Sequence, residues 1–429
     1  MYVVVNDWHL NDETMGKKNI PVGFFEDFLK DVKNMAERVR AKRVVFVFNG
    51  DILDLLYTAL WNYKIENGKY LYNPKGVKPW SENQGLILEK SKEILEGVLN
   101  NQKVKGFLEA FRAFSLDSPL PVEIRYIPRN HDRLIDAFPE LRSRVSKAFN
   151  LEENKGIFFE KYFYDEELGL YISHGNEYDV YNFEHDSNGA LVALFGDAVI
   201  IELLNRLPIE VLKETGSLNC FEKLAEIEEV RPRKTAFNFS RKVLKAEGVK
   251  LKVLSAITRQ LGEEFFSNEF VEDWLNTHTI PSPRITLRRL FIVPIIKVLR
   301  LIGRNSEFDK TLVKMFNTFS LDTLEQGNSA HKRHLGSRSL KRRAKNLKYA
   351  VFGHTHDYEE SVVQRNQQNY NYINLGAWLF QFYRTKRSDF EKRRHITYAL
   401  FFEKGEETKS NYLIERKTIR EEIFWRRKK

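Results

Sequence analysis

Five short segments of the chain concentrate side chains that bind metal ions. They are Asp7-Trp8-His9, Gly50-Asp51-Ile52-Leu53-Asp54, Asn130-His131-Asp132, His174-Gly175 and Gly353-His354-Thr355-His356. The donors are imidazoles, carboxylates and an amide oxygen, with no thiolate among them. That mix suits Mn, Fe, Zn or Mg-like ions rather than a structural cysteine–zinc site. Divalent ions held by such donors attract and polarise oxyanions and lower the pKa of the water they bind.

Each motif alone is bland. Gly-Asp often closes a strand, and Asn130 or Asp132 suits a helix N-cap before Leu134. Their shared setting is the informative part. Asp7 follows Val3-Val4-Val5, Asp51 follows Val44–Phe48, and Asn130 follows Ile124–Ile127. His174 follows Leu170–Ser173, and His354 follows Tyr349–Phe352. In an extended chain residues i and i+2 point to one face, so Asp7 with His9, and His354 with His356, converge on one ion. Sites in α/β folds form at the carboxyl ends of strands. Five strand ends would therefore deliver the ligand set to one edge.

In order and spacing the set resembles the calcineurin-like metallophosphoesterase superfamily, whose pattern runs D-x-H, G-D-x-x-D, G-N-H-D/E, a lone H after a strand, and G-H-x-H. The resemblance covers residues 1–185 and 346–405. One departure is Arg129, which stands where the pattern has glycine. The resemblance implies that Asp7, His9, Asp51 and His356 hold one ion and that Asp51, Asn130, His174 and His354 hold the other, with Asp51 bridging. It implies two divalent ions, Mn2+ foremost, with Fe, Zn or Mg as alternatives. A metal-bridging hydroxide would attack phosphorus in line. His131 would protonate the leaving oxygen, oriented by Asp54. Arg129, Asn176 and His185 are candidate substrate contacts. The other histidines have bland readings: His331 and His334 lie in a basic helical stretch expected to face solvent, and His278 and His395 have no partners in sequence.

The elements that must position these residues alternate between strand and helix patterns. Phe24–Arg40, Glu82–Phe114 and Arg133–Phe149 read as helices, and Tyr370–Asn374, Tyr398–Glu403 and Asn411–Arg416 read as late strands. The expected fold class is α/β, a layered metallophosphoesterase sandwich of two mixed β-sheets flanked by helices, with a large, mainly helical insertion. The core would be 1–185 and 346–429, and 186–345 the insertion. Ala190–Leu207 and Phe221–Val230 are amphipathic patterns within it. Because it separates His174 from His354, both its ends must return to the site edge, which suits a lid or recognition domain.

Length and charge narrow the function further. The chain has 429 residues, 42% of them hydrophobic, enough for one large domain with an insertion. The single cysteine, Cys220, rules out a disulfide framework and fits a reducing compartment. The first residues lack a signal-peptide pattern, and no run approaches the ~20 apolar residues of a spanning helix. A cytoplasmic protein, peripheral at the inner membrane face, is the expectation. The formal net charge is +10. Residues 281–350 hold 16 Lys and Arg against 4 Asp and Glu, so the basic character belongs to one region. Within it, Arg284–Arg304 alternates large aliphatics with arginine and lysine, a composition that suits either an anionic membrane interface or a buried helix whose arginines reach solvent or substrate.

Leu55 stands where protein Ser/Thr phosphatases of the superfamily carry arginine, which argues against that activity. The layout from His174-Gly175-Asn176-Glu177 through a helical insertion to Asn374-Leu375-Gly376-Ala377-Trp378 is similar to that of UDP-2,3-diacylglucosamine hydrolases. That resemblance implies cleavage of a lipid-linked pyrophosphate, or another amphiphilic phosphoester, at a membrane surface. Two features depart from that branch: the insertion is larger, and His131 stands where it commonly has arginine. The alternative is a nucleic-acid phosphodiesterase, with the basic segment tracking a phosphate backbone. An alternative of another class is a non-catalytic metal-binding interaction scaffold; the intact ligand set and His131 argue against it.

Overall fold

The structure is a computed structural model that describes residues 1–179, 181–183, 192–232, 235–277, 327–386 and 389–422. The basic segment 284–304 lies outside the described residues. The strands are β1 (Tyr2–Val5), β2 (Val44–Phe48), β3 (Tyr63–Glu66), β4 (Lys69–Tyr72) and β5 (Val122–Tyr126). Next come β6 (Ile157–Phe159), β7 (Phe163–Asp165), β8 (Leu170–Ile172), β9 (Val230–Arg231) and β10 (Tyr349–Phe352). The last are β11 (Glu359–Arg365), β12 (Gln368–Asn374), β13 (Phe380–Arg384), β14 (Phe390–Phe401) and β15 (Tyr412–Glu422).

Two mixed sheets form the centre. The first runs β6-β5-β2-β1-β14-β13-β9, with β15 paired along the other side of β14. The second runs β11-β12-β10-β8-β7, and β3 and β4 make a separate hairpin. β1, β2 and β5 are parallel neighbours, as are β8, β10 and β12. Parallel pairing brings carboxyl ends side by side, so all five motif-bearing strands end at motif residues on a shared edge of their sheets.

Alternation along the strands builds the layers. Tyr2, Val4, Val45 and Val47 of the first sheet pack against Leu170, Ile172, Val351 and Ile373 of the second. The opposite residues, Val3, Val5, Phe46, Phe48, Ile124 and Tyr126, face the apolar sides of helices Val22–Arg38, Gln102–Asp117 and Pro139–Phe149. The outer face of the second sheet, with Tyr171, Ala350, Phe352 and Tyr372, is covered by Leu335, Leu340 and Leu347. The chain is thus a mixed α/β protein with sheets flanked by helices.

Two expected helices are each divided, for local reasons. Glu82–Phe114 is two helices, Gln84–Asn100 and Gln102–Asp117. Between them Asn101 is extended, and its side chain caps the second helix at the Lys103 backbone nitrogen. Arg133–Phe149 is divided into Arg133–Ala137 and Pro139–Phe149. Proline disfavours helical backbone in the residue before it, and Phe138 is extended.

The described part of 186–345 is mainly helical, with helices Arg206–Thr215, Leu218–Leu224, Ala236–Ala246, Leu251–Phe266 and Glu269–Thr277. The pattern at Ala190–Leu207 is realised as Phe195–Ala198, a π-helical turn at Val199–Leu204 and the start of the next helix. These helices bury Phe195, Phe239, Phe265 and Trp274 together with Phe382 of β13 and Phe390 of β14. β9 extends the first sheet beyond β13. Helix Gly327–His334 brings the chain back, and here the expectation for His331 is corrected. Its ring is 1% exposed, sits 4.6 Å from the Phe352 ring, and bonds Tyr372 and the Gly175 carbonyl. A basic sequence around it reports the solvent face of the helix, whereas His331 occupies the face against the sheet. Among the described residues no helix is long and apolar enough to cross a membrane.

Candidate metal centre

Five of the seven expected ligands adopt left-handed backbone: Asp7 (φ 50°), His9 (47°), Asp51 (54°), His354 (69°) and His356 (61°). Residues with a Cβ rarely take this conformation, and such outliers cluster at functional sites because the surrounding structure must hold them. The restraints are visible. The His9 nitrogen donates to the Asp51 carbonyl at 2.9 Å, the Gly353 nitrogen to the His174 carbonyl at 2.8 Å, and the His354 nitrogen to Asp7 Oδ2 at 3.1 Å. Two glycines allow the close approach. A Cβ at Gly50 would sit 2.5 Å from His174 Nδ1, and one at Gly353 would sit 2.5 Å from Asn6 Nδ2 and Asp7 Oδ2.

Each imidazole is anchored through one nitrogen. Nδ1 of His9 and Nδ1 of His131 both donate to Asp54 Oδ2, at 2.9 Å each. Nδ1 of His174 donates to the Asn49 carbonyl at 2.8 Å, and Nε2 of His354 to Asp179 Oδ2 at 3.0 Å. Nδ1 of His356 donates to Glu229 Oε2 at 3.3 Å. These bonds fix tautomers, because carboxylates and carbonyls only accept.

The tautomers make the interior of the site a concentration of lone pairs. His9 Nε2 and His356 Nε2 face each other at 3.0 Å. Burial alone would lower the His9 pKa, but Asp54, Asp7 and Asp51 push it up, so in the ion-free fold a proton bridges the pair. His174 Nε2 faces Asp51 Oδ2 at 3.0 Å, a contact that a proton bridges when the ring is charged and that a metal ion can bridge when it is not. Opposed acceptors at this separation call for a cation between them, a metal ion or a proton. Asp7 Oδ1 and Asn130 Oδ1 are buried with no hydrogen-bond partner, whereas Asp7 Oδ2 is held by His354 and Asn6. The donors fall into groups that fit an ion each: Asp7 with His9 and His356, and Asp51 with His174 and His354. Asp51 also lies 3.8 Å from His9 Nε2, which places it between the groups. The residues present therefore fit two ions. A third group, His9, Asp54 and His131, shares its His9 and Asp54 contacts with the anchoring network.

The charges polarise the titratable groups. Burial alone would lower the His131 pKa, but the charges of Asp54 and Asp51 outweigh it and push it up to about 9. In the ion-free fold His131 is then an imidazolium at neutral pH. Asp54 is buried, yet His131 and His9 hold its carboxyl below the usual carboxylate range. Asp132 stands at the N-cap of the helix that follows it, but its side chain makes no capping bond there. Its carboxylate accepts from the Ile52 nitrogen at 3.1 Å and the Tyr126 hydroxyl at 2.9 Å, and burial beside Asp51 raises its pKa to about 7.

The structure brings together Asp7, His9, Asp51, Asp54, Asn130, His131, His174, His354 and His356. Among the expected substrate contacts, Asn176 is buried and its amide nitrogen donates to the Asn182 carbonyl at 2.9 Å. His185 lies outside the described residues. Arg129 is not left-handed, so its backbone has no need of the glycine of the pattern. Its nitrogen donates to the Asp132 carboxylate, and its Cγ lies against Gly50. Sequence reasoning missed the roles of Asn49, Asp179 and Glu229. Asp179 is five residues beyond His174 in the same loop, a proximity that could have flagged it. Glu229 comes from the insertion, 127 positions from His356, and no local signal marks it. Comparison of the chain with protein-family models and with curated proteins finds no match.

Proposed function

We propose that this protein is a phosphoester hydrolase of the calcineurin-like metallophosphoesterase type, built as that layered sandwich and working with two divalent ions, Mn2+ foremost. The observation that carries the reading is the pair of close ligand-atom contacts, His9 with His356 and His174 with Asp51, joined through Asp51 and flanked by the unpartnered Asp7 Oδ1 and Asn130 Oδ1. Asp7, His9 and His356 would hold one ion, Asn130, His174 and His354 the other, and Asp51 both. When bound, the ions supply Lewis-acid polarisation of the phosphoester and activation of water.

The remaining work falls to the chain. His131, protonated and anchored to Asp54, is placed to donate a proton to the leaving oxygen. Asp54 keeps His131 charged and His9 oriented with the same oxygen. Leu55 is fully buried, so the residue after Asp54 faces the core rather than a substrate. This supports a substrate other than a phosphoprotein. The layout around His174 and Asn374 favours a diphosphate-bearing amphiphile, met at a membrane surface.

The test is hydrolysis of a chromogenic phosphodiester and a chromogenic monoester with added Mn2+. Turnover that requires Mn2+ and disappears in Asp51→Asn is the expected result. A protein that binds Mn2+ and hydrolyses neither ester would favour the scaffold reading.

A further inference from the structure

Beside the metal centre lies a cleft lined by Lys17, Lys18, Glu226, Glu229, Leu379 and Phe380. Two contacts tie it to the site. Glu229 holds His356, and Leu379 follows Trp378, whose backbone nitrogen donates to the Asp7 carbonyl at 3.3 Å. The cleft is therefore next to the group formed by Asp7, His9 and His356.

Its acidic groups have direct cationic partners. Glu226 lies 3.5 Å from Lys392 Nζ, and Glu229 lies 3.4 Å from Arg231. Two cations also flank the Phe380 ring, Lys392 Nζ at 4.3 Å and the Arg394 guanidinium at 4.0 Å from its centre. Lys18 has no such direct pair, and the charges of Glu228, Glu229, Glu226 and Asp54 reach it only from farther away. It is 8% exposed, and its ammonium rests 3.4 Å from the centre of the Tyr57 ring. Among the described residues no carboxylate comes within 4.0 Å of it. Lys78 makes a useful contrast: it is equally buried, but its ammonium donates to the Trp61 carbonyl and Asn62 Oδ1 at 2.6 Å each. An aromatic face offsets only part of the cost of burying an ammonium. Among the described residues this ammonium has no hydrogen-bond acceptor, and an oxyanion that enters from the cleft would supply one.

We propose that Lys18 is an anion-recognition residue that takes a second phosphate, the one adjacent to the phosphoester under attack. This rests on the phosphoester-hydrolase reading. It assigns the substrate class as one with two phosphates side by side, in a diphosphate linkage or in successive linkages of a nucleic-acid strand. Lys18 selects the substrate and leaves the reacting phosphate to the metal centre.

The experiment uses the full-length Mn-loaded protein, with Lys18→Met and Lys18→Arg. The substrates are bis(p-nitrophenyl) phosphate, with one phosphate, and a UDP-sugar and a thymidine trinucleotide, each with two. Lys18→Met should raise KM roughly 10- to 100-fold for whichever two-phosphate substrate the wild type cleaves, the span expected for losing a charged hydrogen bond. KM for the single-phosphate ester, kcat and Mn2+ stoichiometry should stay unchanged, and Lys18→Arg should restore most of the loss. Cleavage of the UDP-sugar or of the trinucleotide identifies the source of the second phosphate. An unchanged KM in Lys18→Met, an equal rise for the single-phosphate ester, or a wild type that cleaves only that ester overturns the proposal. A wild type that cleaves nothing overturns the hydrolase reading on which it rests.

Discussion

His9 and His356, 347 positions apart in the chain, meet Nε2 to Nε2 at 3.0 Å. Each ring donates its other N–H outward, His9 to Asp54 and His356 to Glu229, so the nitrogens that meet share one bridging position, open to a proton or a metal ion. A divalent ion can take the place of the proton that bridges such a contact, at His174 and Asp51 as at His9 and His356. The fold should therefore be more stable with its ions than without. At Mn2+ a hundredfold above Kd, one site adds about 2.7 kcal/mol. Thermal unfolding with Mn2+ and with EDTA checks this: a clearly higher Tm with Mn2+ is expected, and equal values would oppose it.

Protons and metal ions compete for the same nitrogens. At His174, burial alone would lower the pKa, but the carboxylates of Asp51 and Asp7 raise it from 6.5 to about 8 in the ion-free fold. Stabilisation from that protonated ring is complete below 6.5 and is lost as pH rises through about 8. Metal binding has the opposite sign, because the ring must lose its proton to act as a ligand. Mn2+ affinity should fall between pH 8 and pH 6, by about tenfold per unit for each proton displaced. Calorimetric titration across that range reads the slope, and a flat profile would remove His174 from the ligand set.

Asp54 serves two imidazoles with one oxygen, and its two roles can be separated by mutation. His131→Ala should retain both ions and lose about 10²- to 10⁴-fold in turnover, the usual range for a general acid. Asp54→Asn should lose turnover and also weaken Mn2+ binding, because His9 loses its anchor. Equal metal affinity in the two variants would show that Asp54 acts only through His131.

Glu229 reaches the centre from the helical region and fixes the ring of His356. Carboxylates that orient metal-bound histidines commonly change affinity 10–100-fold when removed. Glu229→Gln should weaken one of two Mn2+ binding events by about that factor and leave the other unchanged. Glu229→Asp, which keeps the charge but shortens the reach, should recover only part of it. Two unaltered binding events in Glu229→Gln would reduce the contact to packing.

The part of this site legible in the sequence was the part set by local geometry. A β-like run that leads into a ligand-rich motif reports a strand end, and all five such ends lie where the pattern placed them. The expectation that His354 and His356 share one ion fails, because both leave the extended conformation and join different groups. The left-handed backbone at Asp7, His9, Asp51, His354 and His356 was not legible, because these residue types do not demand it; Gly50 and Gly353 carry the only hint. The roles of Asp179 and Glu229 depend on tertiary approach, and for Glu229 on how a helical region docks against β13. His331 was misread for a related reason. Local charge predicts exposure, but one helix carries both a solvated face and a buried face. The breaks at Asn101 and Phe138 were encoded locally, by an N-cap residue and by the proline at 139.

The central claim is a pair of ions sharing Asp51. The most direct test is anomalous diffraction from crystals of the Mn2+-loaded protein. Two peaks about 3.5–4 Å apart, with Asp51 between them, are expected. One peak lies near Asp7, His9 and His356, the other near Asn130, His174 and His354. A single peak, or ions bound away from Asp51, would contradict the account.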